Sequence, residues 1–447
     1  MWRTKEQLGE EQLGRLPLRD LSSEASHSDS SSDSSPIPLE QAGPQREWES
    51  FRTGVIEEGS FRYHHGGLHP VYIGELYGGK YIVRRKLGYG NWSTVWLVED
   101  LTQPADVGTR FRALKILKAD AYTATDKCFE REILTYLREG DRSHPGYDSI
   151  CHLVDDFELS GRNGTHVCLV FELMGECLST FRLQFDDRQI PSDVMRKLTK
   201  QLVLALDYAH GKNVIHTDIH LYNIFVKFID TSRIMPEYFD QNPAPFQNRD
   251  EQRYTPILSQ PLRDHYYPLS KKFANYDFTL GDWGSAHWTN RRRGYIQPLL
   301  YRSPEVVINA PWGKPTDWWN LGAVLFVAQT NFQMFQHTRT RRGHVAEMYH
   351  FFGPFPVYFL AGGGSHRLLK IFDWEDSERP GMVKAQYRLR TARNCLLPDE
   401  WWPFPQEPVA RAEFTAFIRL LMRIEPKRRP TADEILMAPW LHGVQIG

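Results

Sequence analysis

The sequence predicts an α+β chain of two lobes, a small strand-rich lobe over residues 61–174 with one helix in it, and a larger, mainly helical lobe over 175–447. Three observations predict this. Short runs of β-branched and aromatic residues crowd positions 81–172. Beyond Gly175 the apolar residues recur at three- and four-residue steps instead. The 447 residues are 41% hydrophobic and 24% charged, ordinary values for a chain with a large buried core.

Residues 1–60 read as a disordered tail. The stretch Ser22 to Pro36 has almost no apolar side chain to bury, so nothing offsets the entropy of ordering it. Its Ser/Asp alternation is either a phosphoacceptor tract or a solvated tail. Tyr81 to Leu87, Ser93 to Asp100 and Phe111 to Lys118 then predict strands, Thr125 to Glu139 a helix, and His152 to Glu158 and His166 to Glu172 two further strands. In the second lobe Val194, Leu198, Leu202, Ala205 and Ala209 form one helix face between Pro191 and Lys212. Later helices are predicted at Thr316 to Thr330, His344 to Phe352, Glu413 to Ile424 and Thr431 to Leu436. Two stretches lack periodicity. Residues 230–275, rich in Pro, Asn, Gln and Arg, predict a mobile inserted loop, and 362–400 a second irregular insert.

Composition narrows the function. A formal net charge of −1 demands neither nucleic acid nor an anionic membrane. Cys128, Cys151, Cys168, Cys177 and Cys395 are odd in number, irregularly spaced and form no CxxC pair, which argues against a disulfide framework or a zinc site. The N-terminus has no apolar h-region, and no apolar run approaches the ~18 residues of a membrane span. The expectation is a soluble, monomeric protein of the cytoplasm or nucleus, with no direct nucleic-acid or membrane partner.

The chemistry lies in four strings. Leu87-Gly88-Tyr-Gly90-Asn-Trp-Ser93-Thr-Val95 joins two strands, and its glycines let backbone N–H groups approach phosphate oxygens. Lys115 stands among apolar residues on the next strand and needs a counter-charge. Glu132, seventeen residues on, is the candidate, with Glu130 its competitor. In Val214-Ile-His216-Thr217-Asp218-Ile-His220-Leu-Tyr222-Asn223, Asp218 and Asn223 aim at one point from a polar loop. The carboxylate suits accepting a hydroxyl proton and the amide oxygen suits ligating a metal. Phe278-Thr-Leu-Gly-Asp282-Trp283-Gly284 ends an apolar strand with a second candidate metal ligand, and Gly284 permits a sharp turn there.

In that order the four strings resemble a eukaryotic-type protein kinase over about Tyr81 to Trp440, with its bilobal fold. Ser303-Pro304-Glu305 resembles the A-P-E element. Asp317 resembles the aspartate that braces the catalytic loop, and Arg429 the late arginine that pairs with Glu305. Leu68-His-Pro-Val-Tyr-Ile-Gly-Glu-Leu, Cys168-Leu-Val-Phe-Glu-Leu-Met-Gly and His216-Thr-Asp-Ile resemble the SR-protein kinases, in which an insert also splits the domain.

The resemblance implies ATP and Mg²⁺ as cofactors. It implies Gly88, Gly90 and Ser93 over the phosphates, Leu87, Val95 and Ala113 around the adenine, and Lys115 on the α- and β-phosphates, oriented by Glu132. Phe171 would back the adenine pocket, with Glu172 to Met174 as the hinge. Asp218 would be the catalytic base, and Asn223 and Asp282 would hold Mg²⁺. The implied partners are proteins phosphorylated on serine or threonine, including Arg/Ser-rich splicing factors.

Four positions depart from the pattern. His220 replaces the lysine that holds the γ-phosphate, a loss on the order of 3 kcal/mol or about 100-fold in rate. A pseudokinase scaffold that binds nucleotide is therefore the alternative, with a small-molecule kinase as the third reading. Thr217 replaces an arginine that usually pairs with a phosphorylated loop, which predicts a constitutively closed site. Tyr222 and Trp283 are also atypical. The acidic stretch Asp373 to Glu378 is a candidate dock for Arg-rich peptides, while Arg291 to Arg293, Arg388, Arg390 and Arg393 favour acidic or prephosphorylated ones.

Overall fold

The computed structural model describes residues 57–445, apart from 105–109, 123–127, 228–230, 250–252, 263–275, 290–293, 337, 339, 365, 374–381 and 385–407. The predicted tail up to residue 56 lies outside the described residues. So do Arg291 to Arg293, Arg388, Arg390, Arg393, Cys395 and all of the acidic stretch beyond Asp373.

The N-terminal lobe is an antiparallel sheet of six strands: β1 (Leu76–Tyr77), β2 (Tyr81–Tyr89), β3 (Ser93–Asp100), β4 (Phe111–Leu117), then, after helix α1 (Glu130–Arg138), β5 (Leu153–Gly161) and β6 (Gly164–Glu172). Their order across the sheet is β1-β2-β3-β4-β6-β5. Period-two alternation sorts each strand between two layers. Leu87, Val95, Leu97, Ala113, Leu117 and Leu169 belong to the main core, together with Ile133, Leu134 and Leu137 of α1. Tyr81, Val83, Trp96, Val98, Leu114, Ile116 and Val170 face outward, under Val71 and Ile257. The outer layer is therefore covered by the segment before β1 and by part of the 230–275 insert.

Strand β7 (Met174–Cys177) leads into helices α2 (Leu178–Phe181) and α3 (Ser192–Gly211). The polar loop that follows runs between β8 (Val214–Ile215) and β9 (Ile224–Lys227). After helix α4 (Thr231–Gln241), strand β10 (Phe278–Leu280) completes a three-stranded sheet of order β10-β9-β7. Strand β11 (His287–Trp288) pairs with β8. Helices α5 (Pro304–Val307), α6 (Pro315–Thr330), α7 (Arg341–Phe352), α8 (Val357–Ala361) and α9 (His366–Leu369) then precede strands β12 (Phe372–Asp373) and β13 (Met382–Val383) and helices α10 (Pro408–Leu421) and α11 (Ala432–Leu436). Helix α6 is buried from Thr316 to Thr330 and is the axis of this lobe. A Thr431/Glu434 capping box starts α11. No helix among the described residues is long and apolar enough to cross a membrane.

The insert departs from its reading as a mobile loop. It opens with α4, which buries Met235 and Tyr238 in spite of Pro236. The chain then runs back over the N-terminal lobe as a strap. Gln247 accepts from the Ile73 N–H (2.7 Å) and donates to the Val71 carbonyl (3.0 Å), and the Tyr254 hydroxyl reaches that same carbonyl (2.9 Å). The Gln260 N–H donates to the Lys86 carbonyl at 2.7 Å. These partners lie some 170 to 180 residues away, so no local pattern announces them.

Candidate active site

The cleft between the lobes is open at its mouth. The sheet supplies Leu87, Ser93, Val95, Ala113 and Lys115. The crossing segment supplies Phe171 to Cys177, and the far side supplies Thr180, Phe225 and Asp282. Gly88 lies in β2, paired with Val95, and Gly90 in the β2–β3 turn; neither is among the lining residues, and the turn closes with the Gly90 N–H on the Ser93 carbonyl at 2.8 Å. Sequence reasoning weighed Glu130 only as the competitor of Glu132 and missed Cys151, Cys177, Phe225, Pro261 and Leu262, all of which line the cleft.

Lys115 is the centre of the charge cluster. Its Nζ donates to both carboxylate oxygens of Glu130 (2.7 and 2.8 Å) and to Asp282 Oδ1 (2.8 Å). The expectation of Glu132 as its partner is corrected here: Glu132 is exposed, whereas Glu130 is 1% exposed. Burial alone would strip the Lys115 proton, but Asp282 and Glu130 more than reverse this and hold the ammonium well above its ordinary value. The two carboxylates diverge. Burial dominates at Glu130 and pushes it up, while at Asp282 the Lys115 charge overrides burial and holds the carboxyl far below its usual range. Asp282 thus stays an anion with one oxygen committed to Lys115.

Asp282 itself has φ of 57°, so the turn expected at Gly284 is made by the aspartate. A Cβ at Gly284 would stand in a tight contact 3.2 Å from Glu130 Oε2 and 3.4 Å from Asp282 Oδ1. Trp283 is wholly buried, donates its indole N–H to the Leu280 carbonyl (3.2 Å) and meets the His216 ring edge-on at 4.6 Å.

The polar loop is braced from below. Asp317 accepts from the His216 N–H (2.8 Å) and His210 Nε2 (2.9 Å) on one oxygen, and from the Thr217 N–H (2.9 Å) on the other. Thr217 has φ of 66°, a strained value for a β-branched residue. Its hydroxyl donates to the Ser285 carbonyl at 2.6 Å, tying the loop to the Asp282 segment without charge. His216 Nδ1 accepts from the Asp218 N–H (3.3 Å), which leaves Nε2–H for the Gly281 carbonyl (3.0 Å). Burial keeps this imidazole neutral by lowering its pKa.

Asn223 Nδ2 donates to the Asp218 carbonyl (2.9 Å) and approaches Asp218 Oδ2 (3.5 Å). Its Oδ1 is buried with no hydrogen-bond partner. A buried amide oxygen of this kind costs free energy unless it is paired, and together with the Asp282 carboxylate it makes a hard oxygen donor set suited to a divalent cation. His220 is 5% exposed, its Nδ1 accepts from the Tyr222 N–H (3.3 Å), and its Nε2 lies 3.6 Å from Asp218 Oδ1. Farther out, Arg429 grips Glu305 through two parallel bonds of 2.6 and 2.7 Å, with both side chains fully buried.

Comparison with known proteins agrees with this architecture. The protein kinase domain family matches residues 81–236 and 269–441. Human SRSF protein kinase 3 is 35% identical, over 85% of this chain and 89% of its own length. The serine/threonine-protein kinase SRPK of Physarum polycephalum is 29% identical, over 87% of this chain and 92% of its own. A crystal structure of a kinase domain covers 84% of this chain and 98% of its own at 20% identity, with a TM-score of 0.59, and shows the same fold. The chain belongs to the protein kinase family, and within it to the SRPK-like branch. It is a serine/threonine protein kinase, acting on protein substrates.

Proposed function

We propose that this kinase transfers the γ-phosphoryl group of MgATP to serines in Arg/Ser-rich proteins, from a site assembled without loop phosphorylation. The observation that carries the reading is the closed Lys115–Glu130 pair beside the buried, unpartnered Asn223 Oδ1. In this reading Lys115 holds the α- and β-phosphates, Leu87, Val95 and Ala113 enclose the adenine, Phe171 backs it, and the backbone of Glu172 to Met174 reads its edge. Gly88, Gly90 and Ser93 cover the phosphates. Asn223 and Asp282 would hold Mg²⁺, which supplies charge neutralisation on the transferred group. Asp218, held at its carbonyl by Asn223, orients the substrate hydroxyl and takes its proton. His220 stands where the charge of a lysine is usual, beside Asp218. The target class follows from the relatives, which are named as SRSF and SRPK kinases.

The test is transfer from labelled MgATP to an Arg/Ser-repeat peptide and to a generic basic protein. Wild type should label the repeat peptide preferentially, and Asp218→Asn should abolish the transfer. No transfer by wild type, with ATP binding intact and activity appearing in His220→Lys, would instead make the chain a nucleotide-binding scaffold.

A further inference from the structure

Pro261 and Leu262 line the cleft, yet they belong to neither the sheet, the crossing segment nor the polar loop. They belong to the strap from the insert and are its last described residues before 276. Leu262 is 5% exposed and packs in the main hydrophobic core. The chain that delivers them is fastened at several points. The Tyr238 hydroxyl of α4 holds the Gln260 carbonyl at 2.6 Å, and Arg85 Nε holds the Asn242 carbonyl at 2.8 Å. The strongest fastening is at Lys86, whose side chain is fully buried. Its Nζ donates to Glu57 (2.8 Å), to Glu58 and to the Ile257 carbonyl (3.0 Å), while its own carbonyl accepts from the Gln260 N–H. Glu57 in turn accepts from the Ser259 N–H at 2.6 Å. A buried ammonium between two carboxylates fixes position strongly, because any displacement leaves a charge unpaired in the interior.

We propose that Pro261 and Leu262 form an apolar wall of the nucleotide site, and that Lys86 is the positioning residue that holds this wall through Ile257, Ser259 and Gln260. The proposal rests on the reading of the cleft as the ATP site. The strap starts in the three-stranded sheet of the second lobe, after β9, and is fastened to the first lobe at Val71, Ile73, Arg85 and Lys86. It therefore spans the cleft it lines. Leu262 is already packed, so it shapes the cleft wall from behind; truncating it loosens that wall, an effect that belongs to ground-state binding and should leave the phosphoryl-transfer step alone.

Calorimetric titration of MgATP into the full chain, with steady-state kinetics alongside, tests this. Leu262→Ala should weaken ATP binding and raise KM for ATP by about threefold, with kcat within about twofold of wild type. Lys86→Met, which touches nothing in the cleft, should also raise KM for ATP and spare kcat. The double variant should be no weaker than the worse single one, because both changes act on one wall. If Lys86→Met does not fold, Gln260→Pro, which deletes the N–H that reaches Lys86, carries the same comparison. Unchanged ATP affinity in Leu262→Ala, or fully additive losses, would overturn the wall while leaving the nucleotide reading intact. Absence of ATP binding by wild type would overturn both.

Discussion

Helix phase decides between Glu130 and Glu132. At about 100° per residue, Ile133, Leu134 and Leu137 cluster on the side of Glu130, and Glu132 falls about 200° from it. The same periodicity that reveals the helix therefore names the partner of Lys115, once the helix is drawn from Glu130 onward. Glu130→Gln should lower kcat/KM about 100-fold, because Lys115 would lose a buried counter-charge and swing towards Asp282 alone. Glu132→Gln should stay within about twofold. Parallel kinetics on the two variants check this, and equal losses would contradict the assignment. The remaining charged residues of the cluster were legible as single positions because each sits in a short string whose neighbours are apolar. What no string carries is the state of Asn223 Oδ1, which depends on how the loop folds over Asp218.

Elements with clean periodicity were legible to within a few residues: α3 runs from Ser192 to Gly211 and α6 from Pro315 to Thr330. Helix α4 was not, since Pro236 in its interior breaks the propensity argument and only burial of Met235 and Tyr238 in the core compensates. The strap was invisible for another reason. It is held by side-chain bonds to distant carbonyls, not by a repeat of its own. The Glu305–Arg429 clamp, by contrast, was expected from the resemblance to protein kinases and joins α5 to the turn before α11. Arg429 also donates to the Pro315 carbonyl at the start of α6 (2.9 Å). Arg429→Ala should destabilise the fold by about 3–5 kcal/mol, since it strands a fully buried carboxylate. Chemical denaturation measures this, and a loss below about 1 kcal/mol would show that water reaches Glu305.

Across the whole molecule, the segment before β1 is as much a part of the first lobe as its strands. His69 packs against the His166 ring at 4.9 Å and the Tyr77 ring at 5.8 Å. Burial, and behind it the charges of His166 and Arg162, push its pKa down to about 4 from an ordinary value near 6.5. The folded chain thus refuses a proton that the unfolded chain accepts. Stability from this site is fully present above about pH 6.5 and is lost as pH falls towards 4, by about 3 kcal/mol. Urea midpoints at pH 7 and pH 4.5 should differ accordingly, and His69→Phe should shrink the difference.

The outer layer of the six-stranded sheet has a consequence for where this protein begins. The match to the kinase family starts at Tyr81, yet Val71 and Ile257 are what shield Tyr81, Val83, Trp96 and Leu114 from water, and Glu57 and Glu58 are what neutralise Lys86. A fragment cut at Tyr81 would keep every residue of the kinase-domain match and lose the covering that Val71 gives its own sheet. It should aggregate or melt far below a fragment cut at residue 57, which a thermal scan of the two would show. The stretch that matches the kinase domain and the unit that folds have different edges here, set apart by one short stretch of chain that carries no catalytic string at all.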